Sequence, residues 1–196
     1  MTKKRTVVVS AYPCCGKTYA FEHYQDKYSI LDSDISKFSW MFRKRTKEEL
    51  DAVKEAWELE PHLLSGDGYI DKIKDEEIKV RNPNFPANYI EHIKENIGKV
   101  DFIFVSNYLI VREAMEEAGI RYCTVYPKKE MLNEWVGRMY RRGDKDYIIK
   151  LHIDHWEEFM NNITFEPYGF GLCRLGNNEY LDLDFLYSWG GEYICD

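Results

Sequence analysis

"VVVSAYPCCGKTYAFEHY", residues 7–24, decides how the rest of the chain is read. The valines and the two residues after them make a short β-branched run, the pattern of a buried strand. From Lys17 the segment "KTYAFEHYQDKY" reads as a helix. Between them lie Tyr12, Pro13, Cys14, Cys15 and Gly16, a loop closed by glycine. Strand, loop and helix in that order aim the helix N-terminus back at the strand's end, where unpaired amides and the helix dipole favour an anion.

The eight residues Ala11 to Thr18 compare with the phosphate-binding pattern GxxxxGK[ST], and seven of the eight positions are compatible. That pattern needs backbone amides that curl around phosphate oxygens, a lysine that reaches the outer phosphates and a hydroxyl that holds magnesium. Lys17 and Thr18 supply the last two. Ala11 stands where glycine is usual; alanine carries the smallest Cβ, so the turn is expected to tolerate it while φ stays negative. The expected nucleotide-binding stretch is Ala11, Tyr12, Pro13, Cys14, Cys15, Gly16, Lys17, Thr18 and Tyr19, with ATP and magnesium (Mg2+) as the ligands.

Working outward, 196 residues with 44% hydrophobic and 15% aromatic content suffice for one compact domain with a full core. The formal charge of −7 speaks against a broad positive field for a nucleic-acid backbone, though a small anion needs only a local pocket. No apolar run is long enough to span a membrane, and the basic start runs into a strand, so no membrane partner and a cytoplasmic location are expected. Five cysteines at 14, 15, 123, 173 and 195 show no CxxC spacing and read as reduced thiols. Cys14 and Cys15 add a redox expectation, since loop amides would lower a thiol pKa and oxidation there would block nucleotide binding.

Further strands are expected in "SILDSD" (29–34), "VDFIFVSN" (100–107), "RYCTVYP" (121–127) and the "FGLCRL" stretch. Helices are expected in "TKEELDAVKEAWEL", "NYIEHIKENIGK" with Asn88 as its cap, "LIVREAMEEAG", "KEMLNEWVGRMYRRG" and "YIIKLHIDHWEEFMNNI". After the turn at Gly176-Asn177-Asn178 a last helix is preferred over a hairpin strand. Strands alternating with helices imply an α/β fold, a mainly parallel sheet with helices on both faces and ligands beyond the carboxyl ends of the strands.

The other charged groups choose among nucleotide chemistries. The third strand ends in Val105-Ser106-Asn107, without the magnesium-holding aspartate of motor ATPases, and no guanine-reading NKxD stretch occurs. "LDSD" places Asp32 and Asp34 on one side of an extended segment, where either holds a magnesium-bound water or accepts an acceptor's proton; Asp34, further out, is the first choice. Arg138 and Arg142, four apart on one helix face with Arg141 beside them, suit the charge that builds during phosphoryl transfer. Arg112, at the start of the helix after the third strand, fits an acceptor phosphate or a surface ion pair with Glu116. Phe38, Trp40, Phe85 and Tyr89 are candidates for stacking on a base.

"SAYPCCGKT", "LDSD", the arginine after the third strand and "RMYRRG" resemble the adenylate kinase and shikimate kinase branch of P-loop kinases. More closely, "LDSDISKFSW", "NPNFPANYIEHIK", "FVSNYLIVREAMEEAGI", "VYP" and "RRG" are similar to small uncharacterised P-loop kinase-like proteins of bacteria and their phages. The resemblance implies a three-layer P-loop NTPase fold with a five-stranded parallel core. It also implies a helical acceptor-binding insertion between the second and third strands, at 38–98, and a mobile lid after the fourth, at 128–150. It carries Lys17 and Thr18 onto the phosphate and magnesium positions, Asp34 onto the carboxylate near the acceptor, Arg112 onto the acceptor-site arginine, and Arg138 and Arg142 onto the lid. The chain departs at Ala11 and has fewer lid arginines than many nucleotide kinases.

The function expected is transfer of the γ-phosphate of ATP to a small acceptor, foremost a nucleoside or deoxynucleoside monophosphate. Lys17, Asp34, Arg138 and Arg142 are the catalytic candidates; Asp32, Asp34, Phe38, Trp40 and Arg112 are the acceptor-binding ones; Thr18 and Asp34 would hold the metal. Two alternatives stand beside it: a kinase for a hydroxyl on a nucleic-acid end or modified base, which the acidic total disfavours, and an ATP-binding regulator acting on a protein partner. His152 and His155 are assigned to packing and surface and not to zinc. "GFGLCRLG" is not taken as a dinucleotide site, and "KDEEIK" is read as a solvated face.

Overall fold

A computed structural model describes residues 4–59, 77–164 and 171–189. The chain divides into a larger unit, 1–35 with 86–196, and a smaller one, Ser36–Phe85. The helix Ala87–Asn96, expected within the insertion, thus belongs to the larger unit. Cys195 lies outside the described residues.

In the larger unit, β1 (Val7–Ala11), β2 (Ile30–Asp32), β5 (Phe102–Ser106), β6 (Cys123–Pro127) and β7 (Gly171–Leu175) form one sheet in the order β2-β5-β1-β6-β7. Every pairing is parallel, with Val7 opposite Phe102 and Ala11 opposite both Ser106 and Val125. All five residues of β1 are buried. Because successive side chains alternate between faces, burial of Val7, Val9 and Ala11 together with Val8 and Ser10 means that both faces are covered.

The covering helices are α1 (Lys17–His23), α4 (Ala87–Asn96), α5 (Leu109–Glu117), α6 (Leu132–Arg142), α7 (Asp146–Asp154), α8 (Trp156–Thr164) and α9 (Leu183–Trp189). The stretch read as one helix, 147–163, is two, because His155 leaves helical geometry at φ −112°, ψ 14°. Pro86, not Asn88, precedes the first turn of α4. From β1 the chain goes to β2 on one side and later to β6 on the other, so a crevice opens at the carboxyl end of β1.

The smaller unit contains α2 (Ser36–Ser39), α3 (Lys47–Leu59) and an antiparallel pair, β3 (Trp40–Lys44) with β4 (Glu77–Arg81). These two strands are new relative to the sequence reading, and β4 takes in part of the "KDEEIK" segment read as a solvated face. Their alternation is mixed with charge: Trp40 faces Arg81 in register, with the guanidinium 3.9 Å from the ring centroid. Thr46 and Glu49 cap α3 reciprocally, the Glu49 amide donating to Thr46 Oγ1 and the Thr46 amide to Glu49 Oε2.

Candidate functional site

The loop after β1 is held by its carbonyls. Each carbonyl oxygen from Ala11 to Gly16 accepts a hydrogen bond from inside the protein. Lys17 Nζ donates to Ala11 at 2.7 Å, the Cys15 amide to Tyr12 at 3.3 Å, Trp135 Nε1 to Pro13 at 2.8 Å and Arg138 Nη1 to Cys14 at 3.3 Å. The Leu181 amide donates to Cys15 and the Ala20 amide to Gly16, both at 2.9 Å. Among the described residues no carbonyl accepts from the amides of Cys14, Gly16, Lys17, Thr18 or Tyr19. Acceptors are spent inward and donors are left over, which is the polarity an anion requires.

The backbone places its strain away from Ala11. Ala11 is the last residue of β1, fully buried and outside the positive-φ residues, so nothing there calls for glycine. The left-handed positions are Cys14, at φ 64°, and Gly16, at φ 99°. A Cβ on Gly16 would also stand 3.3 Å from the ring of Tyr180, so Gly16 is required twice over. Cys14 holds a conformation that costs a non-glycine residue about 1–2 kcal/mol.

A cavity of ≈ 310 Å³ opens on this loop, lined by Cys14 to Tyr19 and by Arg138, Arg141, Arg142 and Tyr180. Lys17 is thus joined by three guanidinium groups. Thr18 and Tyr19 are exposed, Tyr19 stacking on His23 with centroids 3.8 Å apart. Arg138 differs from its neighbours: it is buried, its guanidinium lies 4.1 Å from the ring centroids of both Trp135 and Tyr180, and it donates to Glu134, Cys14 and Glu179. It shapes the loop. Arg142 is exposed and forked onto Asp144. Residues 128–150, expected as a lid, therefore include a buried face, Trp135, Arg138 and Met139, that belongs to the core.

A second cavity, of ≈ 390 Å³, lies on the other side of Lys17, which lines both. Tyr12, Asn107, Arg112 and His152 bring polar groups to it, and Leu151 and Phe159 apolar surface. Arg112 is not a surface partner of Glu116: it is buried, donates to Asn107, and Glu116 accepts instead from the Tyr122 hydroxyl at 2.8 Å. His152 and Asn107 were not foreseen as site residues; His152 sits 140 positions from Tyr12, to whose hydroxyl its Nδ1 is bonded at 2.6 Å.

The carboxylates and rings divide differently from expectation. Asp32 and Asp34 are both exposed, and both charges act on Tyr89. Burial pulls the Lys17 ammonium below its ordinary value, and Asp32 is among the charges opposing that fall. Tyr89, a stacking candidate, is wholly buried and donates its hydroxyl to Ser33 at 2.7 Å, so it is a core residue. Phe38 and Trp40 belong to the smaller unit, where Trp40 already carries Arg81 and Lys79 over its ring.

The thiol expectation is reversed. Burial pushes Cys15 up to about 12, with its Sγ directed to the Val125 carbonyl, and burial also raises Cys14 against the lowering pull of Arg142. Desolvation of the thiolate outweighs the nearby positive charge.

Among the described residues no cluster of three or more histidine, cysteine or acidic side chains could hold a metal by itself. Magnesium here would depend on the Thr18 hydroxyl, a carboxylate of the β2 end and the ligand's own phosphates, a donor set that suits magnesium's habit of keeping water and phosphate oxygens. No helix among the described residues is long and apolar enough to cross a membrane. No family model matches the chain, and no curated protein matches it.

Proposed function

We propose that the protein is an ATP-dependent phosphotransferase whose acceptor is small and anionic, foremost a nucleoside or deoxynucleoside monophosphate. The observation that carries this is Lys17 between two cavities, one walled by amide donors and arginines, the other by Arg112 and His152. A donor polyphosphate in the first and an acceptor in the second would meet at one ammonium.

In the transfer, the bond from the terminal phosphorus to the β-phosphate oxygen breaks while a bond to the acceptor oxygen forms, and the diphosphate leaves with the electron pair. Lys17 and Arg142 sit where that charge gathers, and Arg142 would exchange Asp144 for phosphate. Arg138 acts one step back, by holding the Cys14 carbonyl out of the cavity. Magnesium, held by Thr18 and by Asp34 or Asp32 through water, would neutralise phosphate charge. A monophosphate oxygen is already ionised and needs no base, whereas a hydroxyl acceptor needs one.

The test is incubation with γ-labelled ATP and magnesium against nucleosides, nucleoside monophosphates and oligonucleotides. Label in the monophosphates, lost in Lys17→Ala, is the expected result. Label confined to oligonucleotides would move the acceptor to a nucleic-acid hydroxyl. ATP binding with no labelled product would make the protein a nucleotide-dependent regulator.

A further inference from the structure

In the second cavity Tyr12 and His152 join the loop to α7. Their rings meet edge to face, centroids 5.4 Å apart and planes at 77°, and Phe159 meets the His152 ring in the same way at 5.6 Å and 66°. The imidazole is therefore fixed on two sides. Tyr12 is buried, and among the described residues its hydroxyl has one partner, His152 Nδ1. A buried phenol must place its proton, and Nδ1 is the acceptor within reach. Nδ1 taken as an acceptor leaves the ring proton on Nε2. Nε2 has no partner of its own among the described residues, on a side chain that lines the cavity with Lys17 and Arg112. The carboxylate there, Glu158, is engaged by His155 at 3.0 Å.

We propose that His152 is an acceptor-recognition residue: Tyr12 locks it as the Nε2–H tautomer, and that N–H donates to an anionic oxygen of the acceptor alongside Arg112 and Lys17. The histidine is then a donor and not the base that a hydroxyl acceptor would need, and specificity for an ionised acceptor is set by a loop residue acting through α7. This rests on the phosphotransferase reading, and it names the tautomer and the contact that reading leaves open.

Nitrogen-15 NMR of the imidazole in the wild-type protein at pH 7.5 reads the tautomer without any ligand. Protonated Nε2 with bare Nδ1 is expected; a proton on Nδ1 overturns the proposal. Titration with AMP, GMP, CMP and UMP should shift the Nε2–H resonance with at least one of them and leave it in place with the matching nucleoside. Equal shifts with the nucleoside, or none with any monophosphate, also overturn it. In turnover, His152→Leu should raise the acceptor KM on the order of tenfold, with ATP affinity by calorimetry unchanged. His152→Gln, whose amide N–H restores a donor, should recover part of that loss, and Tyr12→Phe, which keeps the ring, should give a mixed tautomer and an intermediate KM. An unchanged acceptor KM in His152→Leu, or a parallel loss of ATP affinity, sinks the assignment. Absence of ATP affinity in the wild type would instead defeat the phosphotransferase reading and leave the tautomer result standing by itself.

Discussion

The indole N–H of Trp135 donates to the carbonyl of Pro13 at 2.8 Å across 122 positions of chain, with the Trp135 ring fully buried. This bond helps hold the loop's carbonyls inward, away from the cavity. Trp135→Phe keeps most of the ring and removes the donor, leaving the Pro13 carbonyl unpaired. Stability should fall by about 1–3 kcal/mol, read as a urea midpoint, and ATP affinity should fall with it. Affinity that holds while stability drops would separate the bond from the binding site.

Lys17 presents the opposite balance. Its ammonium is desolvated, which lowers its pKa, and without a phosphate its hydrogen bond is to the Ala11 carbonyl. Lys17→Met removes a buried charge and keeps the aliphatic stem. The melting temperature should stay level or rise, while label transfer from ATP falls by a hundredfold or more. A cooperative loss of fold in this variant would show that the lysine is structural.

Asp32 and Asp34 can be told apart. Asp32 opposes the fall of the Lys17 pKa, so Asp32→Asn should lower that pKa further, whereas a water-mediated magnesium role for Asp34 predicts that Asp34→Asn raises the magnesium concentration needed for turnover. For a phosphate acceptor neither variant's loss of turnover should approach that of Lys17→Met, because no base is required. Near-total loss in Asp34→Asn alone would assign the base to Asp34 and the acceptor to a hydroxyl. Turnover against magnesium concentration in both variants is the measurement.

His152 also links pH to stability. Burial, with Arg142 adding to it, lowers its pKa below the ordinary 6.5, opposed by Asp144. Between the lowered folded value and 6.5 the unfolded chain holds more protons than the native protein, so stability rises with pH through that window. The contribution is whole above 6.5 and lost as pH falls. Urea midpoints should drop on acidification from pH 7.5 to 5.5, and the drop should be smaller in His152→Gln. Equal slopes in both proteins would assign the acid sensitivity elsewhere.

The two loop thiols should be slow. With Cys15 at about 12 and Cys14 also raised, both are almost wholly protonated at neutral pH. Reaction with a disulfide reagent at pH 7.5 should lag behind that of a free cysteine, and ATP affinity measured after brief exposure should be unchanged. Rapid modification of Cys14 with loss of binding would restore the redox expectation.

Chain-local features were legible in the residues themselves: the five parallel strands, the loop from Tyr12 to Gly16, the closing helix after Gly176. Burial period and turn chemistry depend on neighbours a few positions away, which a reading along the chain can see. The pair of β3 with β4 escaped, because charged Arg43, Lys44, Glu77 and Lys79 in its strands hide the alternation. Tertiary structure alone decided which residue bears the loop's left-handed strain, Cys14 and not Ala11, and that Arg138 shapes the loop from a buried stack while Arg142 faces the cavity. It also brought His152 to Tyr12 and raised the thiols that isolated loop chemistry would lower. Packing and desolvation are properties of groups far apart in sequence and close in space, and no spacing along the chain records them.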